Sequence, residues 1–364
     1  MQVKDIVAEI ERFADPALKE DYDNVGLLVG SGSEKVSGVL ITLDVTMDVL
    51  NEAIEKECNL IIAHHPLIFR GLKSITDRTE TGRIVMKAIK KGVAIFAGHT
   101  NVDSVPEGVS GMMAKKLGLV NTAVLTPVKN RLRKLITYVP EQYAEKVRNA
   151  IFEAGAGVIG NYDSCSYNVS GTGTFRAGDN TDPFVGKKGE LHLEPEVRIE
   201  VVMPEFITSR VVAAMLDAHP YEEVAYDIYS LENEWGGAGF GMAGELAEPM
   251  EENDFLALLK SVFNVECLKH TALLNRPVKK VALCGGAGSE LLKDAMRAGA
   301  DVFVSGDFKY HQFFDAEKRI LIADIGHFES EQFTKELFFE ILTKKFSNFA
   351  IRLSEVNTNP IKYF

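Results

Sequence analysis

Val93-Ala94-Ile95-Phe96-Ala97-Gly98-His99-Thr100-Asn101-Val102-Asp103 and Ile320-Leu321-Ile322-Ala323-Asp324-Ile325-Gly326-His327-Phe328-Glu329-Ser330-Glu331 lie far apart in the chain but share one pattern. Each begins with a short apolar run of the kind that forms a buried strand of a parallel sheet. Each then passes through Gly-His and offers a carboxylate four residues after the histidine. A third run, Leu60-Ile61-Ile62-Ala63, ends in the adjacent pair His64-His65. Imidazoles and carboxylates at strand ends are the donors that a metal site in an open α/β sheet requires.

Outward from these stretches, the two outer thirds of the chain read alike. In the first, residues 38–43 read as a strand, 47–56 as a helix and 59–63 as a strand ending in His64-His65. A helix over 81–90 leads to the strand before His99. In the last, residues 280–284 read as a strand, 289–298 as a helix and 301–305 as a strand ending in Gly306-Asp307. A short helical stretch over 311–317 leads to the strand before His327. The order β-α-β-α-β occurs twice, which predicts two duplicated βαβαβ halves with right-handed crossovers. The expected fold class is therefore α/β, with a mostly parallel-sheet host domain. The block between the halves reads β-α-β-β-α-β, the split βαβ order of a ferredoxin-like α+β domain. Thr126-Pro127 and Trp235-Gly236-Gly237-Ala238-Gly239 read as linkers around it. The expected domains are 1–127, the first half of the host; 128–235, the insert; and 236–364, the second half.

The 364 residues suffice for two or three domains with sizeable cores. The net charge of −12 argues against a nucleic-acid partner, because phosphate binding relies on a basic surface. Cys58, Cys165, Cys267 and Cys284 are scattered with no CxxC pair, as in free thiols of a reducing compartment. No run approaches the ~18 apolar residues of a membrane span, and residues 1–13 lack the continuous apolar stretch of a signal peptide. The expected location is the cytoplasm, with no membrane partner.

Two adjacent histidines inside a strand point to opposite faces. At the strand's end, under Pro66, both His64 and His65 can reach one crevice, and two neighbouring ions suit them better than one. Alone, the pair reads equally as a buried ring beside an exposed one. Phe333, Leu337, Phe338 and Ile341 predict a helix from near Glu329 to about Leu342, with His327 at its start. His327 and Glu331, four apart, then share a face; a helix-start ion pair is the plainer alternative. His99 and Asp103 repeat the spacing, although Pro106 and Gly108 make that segment more loop than helix. Taken together, the three sets favour a metal site. Mixed His and carboxylate ligation suits Zn²⁺, Fe or Mn²⁺, and a carboxylate such as Glu331 can bridge two ions. Cys284-Gly285-Gly286-Ala287-Gly288-Ser289 lacks the third glycine of the dinucleotide pattern and the P-loop lysine, and reads as a packing turn. Asp44-Val45-Thr46 offers either hydrogen bonds behind the site or a helix cap. Tyr22-Asp23-Asn24-Val25-Gly26 reads as a turn near the crevice. His192, His219 and His270 read as structural, and His311 as a residue lining the site.

The set Tyr22-Asp23-Asn24-Val25-Gly26-Leu27-Leu28-Val29-Gly30, Ile62-Ala63-His64-His65-Pro66, His99-Thr100-Asn101-Val102-Asp103 and Gly326-His327-Phe328-Glu329-Ser330-Glu331 resembles the GTP cyclohydrolase I type 2 homologue family, also described as dinuclear-metal-centre hexameric proteins. The insert, with His219-Pro220-Tyr221-Glu222-Glu223-Val224, is similar to the PII/CutA-like domain of its longer members. The resemblance implies two divalent ions per subunit held by His64, His65, Asp103, His327 and Glu331. In that arrangement His64 and Asp103 take one ion, His65 and His327 the other, and Glu331 touches both. It also implies a toroidal homohexamer with the sites facing an internal cavity. Tyr22 departs from the family, many of whose members carry Trp there.

Two functions follow as expectations. The first is a metal-dependent hydrolase of a small molecule, either GTP cyclohydrolase-like, with attack at C8 of the guanine ring, or a phosphoesterase. His99, unless a ligand or structural, is its general acid/base. The second is non-catalytic: metal storage, delivery or sensing, for which full occupation of the ions by protein ligands is the mark.

Overall fold

Runs of three or four apolar residues bounded by polar turns are too short for helices and become strands covered on both faces. Val39–Thr42, Leu60–Ala63 and Ala94–Ala97 form such a parallel set, paired Leu40 to Ile61 and Ile61 to Ile95. The computed structural model describes residues 1–363. In it, Gly26–Val29 joins one edge of the set antiparallel and Ile351–Leu353 joins the other in parallel, making a five-stranded sheet. One face of that sheet packs through Leu40, Ile61 and Ile95 on the helices Met47–Glu55 and Glu80–Lys91. The other packs through Ile41, Ile62 and Phe96 on Val3–Phe13 and Thr334–Lys345. Cutting any of these buried aliphatic side chains back to Ala would cost about 2–5 kcal/mol.

A second parallel set, Val278–Ala287, Val302–Gly306 and Leu321–Asp324, is the centre of a six-stranded sheet. Lys269–His270 and Glu234–Met250 pair antiparallel at its two sides, and Val120–Lys129 lies beyond Glu234–Met250. The two sheets exchange helices. Thr334–Lys345, from the end of the chain, packs on the first sheet through Leu337, Phe338 and Leu342, whereas Val109–Lys116, from the first third, packs on the second through Met113 and Ala114.

The result is a mixed α/β fold in which the two central sets are parallel and antiparallel strands are added at their sides. The antiparallel members are short edge strands, or Gly-rich ones such as Glu234–Met250, with little of the apolar run that marks a central strand. The stretches read as linkers, Thr126-Pro127 and residues 235–239, are themselves in strands, Val120–Lys129 and Glu234–Met250. There Gly239 has φ +154, and a Cβ on it would fall 2.2 Å from the Thr126 carbonyl oxygen. Glycine marks close strand approach at that position, not flexibility.

By internal contacts the chain divides into two compact units, Met1–Pro127 with Ala238–Phe364, and Val128–Gly237. The second holds a four-stranded antiparallel sheet in the order Tyr167–Arg176, Leu191–Pro204, Leu132–Pro140, Tyr226–Leu231. The helices Ala144–Glu153 and Thr208–Ala218 cover one face of it through Val147, Ile151, Val211 and Met215.

Candidate metal centre

The parallel strands of both sheets end at one crevice, as ligand sites in open α/β sheets do. Asp44 follows Val39–Thr42, His64-His65 follow Leu60–Ala63, and His99 follows Ala94–Ala97. From the second sheet, Asp307 follows Val302–Gly306 and His327 follows Leu321–Asp324. Gly326, at φ +93, turns the chain so that His327 opens a helix, His327–Glu331, and Glu331 closes it one turn later. A Cβ on Gly326 would fall 2.2 Å from Glu329 Oε2, so only glycine fits there.

The histidines aim their Nε2 atoms into the crevice because each Nδ1 is held from behind. His64 Nδ1 lies 2.9 Å from the Gly98 carbonyl, His65 Nδ1 2.7 Å from Asp44 Oδ1, and His327 Nδ1 2.8 Å from Asp307 Oδ2. His99 Nδ1 lies 2.8 Å from Asp23 Oδ1, and Asp23 also accepts from the Thr100 amide and hydroxyl. On the inner side, His64 Nε2 is 3.6 Å from Asp103 Oδ1 and 3.7 Å from Glu331 Oε1. Glu331 Oε2 is 3.0 Å from His65 Nε2 and 3.1 Å from His327 Nε2, and the two nitrogens are 3.3 Å apart.

Three of these atoms, His64 Nε2, Asp103 Oδ1 and Glu331 Oε2, are buried without a hydrogen-bond partner. Glu331 Oε2 is near two imidazole nitrogens yet aligned as a hydrogen bond with neither. A buried, unpaired polar atom costs about 1–3 kcal/mol, and a cation held among these three would offset that cost. Donors about 2.0–2.2 Å from an ion at tetrahedral angles stand about 3.3–3.6 Å apart, close to the separations observed. The residues therefore fit a metal. Three groups have donor atoms within 4.8 Å of one another and could hold an ion: His64, Asp103 and Glu331; His65, His327 and Glu331; and His64, His65 and His99. Glu331 belongs to two of them.

The charges agree with this arrangement. Burial pulls His64 below its ordinary value, leaving a neutral ring with its Nε2 lone pair directed inward. Burial also works against protonation of His65 and His327, but the bond to Asp44 and the nearby carboxylate charges of Glu331 and Asp44 lift His65 to about 10. Glu331 and Asp307 likewise lift His327 to about 9. Burial and the Glu331 charge raise Asp103 well above the carboxylate range. Glu331 is pushed upward by burial, yet His64, His327 and His65 around it hold it well below that range. Without metal, the protons on His65 and His327 supply the positive charge that this carboxylate needs. Burial, then Asp103, Glu290 and Glu331, push the Cys284 thiol up, away from a thiolate ligand.

The structure brings together all five residues expected as ligands, with His99 at their side: its ring lies 5.2 Å from that of His64 and 5.4 Å from that of His65. Several local expectations change. His99-to-Asp103 is not loop, because Thr100–Asp103 makes one helical turn. The helix expected from Glu329 instead starts at His327 and is split after Glu331, with Thr334–Lys345 as a separate helix. At the split, the Gln332 side-chain amide donates to the Phe263 and Glu329 carbonyls. His311 is not in the site; its ring meets that of Tyr310 edge to face, with centroids 5.1 Å apart. The position after the strand that matches His64-His65 is Asp307, held at φ +58. Asp23 and Asp307 were missed as residues that orient histidines, for neither has a local signal beyond a turn. The Cys284–Ser289 turn does pack: a Cβ on Gly286 would fall 2.3 Å from Glu331 Oε1. His192, His219 and His270 bond to Glu194, the Tyr138 carbonyl and the Thr271 carbonyl, and none belongs to the candidate ligand groups.

Among the described residues no helix is long and apolar enough to cross a membrane. The profile of the family described as Duf34/NIF3 (NGG1p interacting factor 3) matches residues 1–360. A protein of Halalkalibacterium halodurans named GTP cyclohydrolase 1 type 2 homolog is 41% identical over 363 residues, 98% of either chain. A Bacillus subtilis protein of the same name is 41% identical over 365 residues, 98% of this chain and 97% of that one. The crystal structure of a Bacillus cereus protein related to NIF3 superposes with a TM-score of 0.87 at 39% identity, covering 100% of this chain and 99% of the other. On sequence, fold and length alike, the chain belongs to the Duf34/NIF3 family.

Proposed function

We propose that this protein is a dinuclear metal-dependent hydrolase acting on a small molecule. In this reading His64 and Asp103 serve one divalent cation, His65 and His327 a second, and Glu331 both. The observation that carries it is the convergence of these five side chains with three buried donor atoms left unpaired. Zn²⁺, Fe or Mn²⁺ held there would supply Lewis acidity, acidifying water toward neutral pH and offsetting charge that develops on an oxyanion.

The chain's own residues do the rest. His99 is the general acid/base: Asp23 fixes its Nδ1 and leaves Nε2 free to take or give a proton at the reacting group. Burial works upward on Asp23, but its bonds to His99 and Thr100 outweigh it and keep the carboxylate ionised. Phe69, 6.2 Å from the His99 ring, and Tyr22, 6.2 Å from Phe69, are exposed and offer flat apolar faces for the body of a substrate. Opening of the guanine ring of GTP and hydrolysis of a phosphoester both suit that arrangement, and the relatives' name favours the first.

On the family resemblance we read the assembly as a cytoplasmic homohexamer. The β-α-β-β-α-β order of Val128–Gly237 supports a ferredoxin-like, PII/CutA-like insert. The test is metal-loaded protein incubated with GTP and a panel of phosphoesters, with Glu331→Gln as control. Turnover that disappears in the variant is expected; turnover unchanged in it would sink the hydrolase reading. Two retained ions with no turnover on any substrate would favour storage or delivery of metal.

A further inference from the structure

The sheet of the second unit has its helices on one face only. Val197, Ile199, Val201 and Met203 of the strand Leu191–Pro204 point toward them, so alternation sends Glu196 and Arg198 to the opposite face. On that face the loop after Tyr167–Arg176 and the segment around Tyr221 border a half-open pocket of about 580 Å³, lined by Glu196 and by Phe175, Phe184 and Tyr221. That volume lies in the range of small-molecule pockets, about 300–1,000 Å³.

Glu196 sits at its floor and is 9% exposed. The Tyr221 hydroxyl donates to Glu196 Oε1 at 2.8 Å, while Oε2 has no hydrogen-bond partner among the described residues. Two glycines make the room: Gly171 is directly across the ladder from Glu196, and a Cβ on Gly173 would fall 2.1 Å from Glu196 Oε2. The walls are aromatic, with Phe175 and Phe184 at 6.3 and 6.2 Å from the Tyr221 ring. Of the two guanidinium groups at the cavity, Arg198 is already paired with Glu200 at 2.9 Å. Glu196, Glu222 and Glu223 leave the lining acidic on balance.

A nine-tenths-buried carboxylate with one free oxygen, ringed by aromatic faces, selects for a flat ligand that donates N–H bonds and carries positive charge. We propose that this cavity is a second binding site, separate from the metal centre, for a small planar aromatic cation with an amidine-like edge that bonds Glu196 Oε2 and stacks among Phe175, Phe184 and Tyr221.

The test is isothermal titration of full-length, metal-loaded protein with benzamidine, against benzyl alcohol as the uncharged probe of similar shape. One benzamidine per chain is expected, about tenfold or more tighter than benzyl alcohol. Glu196→Gln retains an acceptor for Tyr221 and is expected to weaken benzamidine about tenfold or more, with metal content unchanged. Gly173→Ala, which crowds the carboxylate from the other strand, is expected to do the same and decides the matter should Glu196→Gln fail to fold. Absence of saturable benzamidine binding, or wild-type binding by either folded variant, would overturn the proposal. So would a crystal structure in which a second copy of the chain fills this face and bonds Glu196.

Discussion

His65 Nε2 stands 3.3 Å from His327 Nε2 across 262 positions of sequence, and Glu331 Oε2 lies within 3.1 Å of both. One carboxylate thus holds together histidines from two different sheets, and its removal should be felt at both. Glu331→Ala is expected to lower metal content, read by elemental analysis after dialysis, more than loss of any one histidine does. In metal-free protein it also removes the carboxylate shared by two half-buried imidazolium rings, and a lower melting temperature is expected. A variant with full metal content and an unchanged melting temperature would contradict the shared role.

The proton load of the metal-free site sets a pH dependence. His65 at about 10 and His327 at about 9 lie above the unfolded value, which is about 6.5 for histidine. Raised values stabilise fully below the unfolded value, and the contribution is lost as pH rises through the folded ones. Metal-free protein should therefore lose melting temperature progressively between about pH 7 and 10, with metal-loaded protein losing less because cations replace the protons. Parallel curves for the two forms would count against that exchange.

The carboxylates behind the histidines should matter nearly as much as the ligands. Asp44→Asn and Asp307→Asn each free one Nδ1, and about 10–100-fold weaker metal binding is expected from either. Competition with a chromogenic chelator measures it directly. Asp44 also accepts from Thr358 at 2.6 Å, so Thr358→Val should show a smaller change in the same direction.

His99 and Asp23 should separate chemistry from metal binding. If the hydrolase reading holds, His99→Ala is expected to lower kcat about 10²–10⁴-fold, the usual worth of a general acid/base, with both ions retained. Asp23→Asn should lower kcat in the same direction. Loss of metal in His99→Ala would make that residue a ligand instead.

Gly286 is a position where a single methyl group reports on the site. It has φ +64, and its Cβ would come within 2.3 Å of Glu331 Oε1. Gly286→Ala is expected to leave the circular dichroism spectrum native while weakening metal binding at least tenfold, a displacement large enough to misplace a ligand. Wild-type affinity in this variant would show that Glu331 has slack the packing does not reveal.

Much of this protein was written locally. The runs 60–63, 94–97 and 320–323 declare central strands because four consecutive apolar residues can be covered only inside a sheet. The histidines that follow them declare donors at strand ends for the same reason. The edge strands Gly26–Val29 and Lys269–His270 were invisible, since an edge strand draws on its neighbour and carries no periodic signal of its own. The pairings behind the site were equally hidden. Asp23 with His99 and Asp307 with His327 are side-chain meetings across 76 and 20 positions, which no short window of sequence records.

What the sequence alone determined was the kind of chemistry available and the secondary structure that presents it, because hydrophobic period and residue type act over a few neighbours. Tertiary structure decided that the closing helix and strand of the chain finish the first sheet, with Ile351–Leu353 beside Val39–Thr42. It also decided which acid steadies which imidazole, since such contacts form only once distant strands pack edge to edge. Burial then left His64 neutral, while the histidines gathered around Glu331 kept it ionised against the pull of burial in one small crevice.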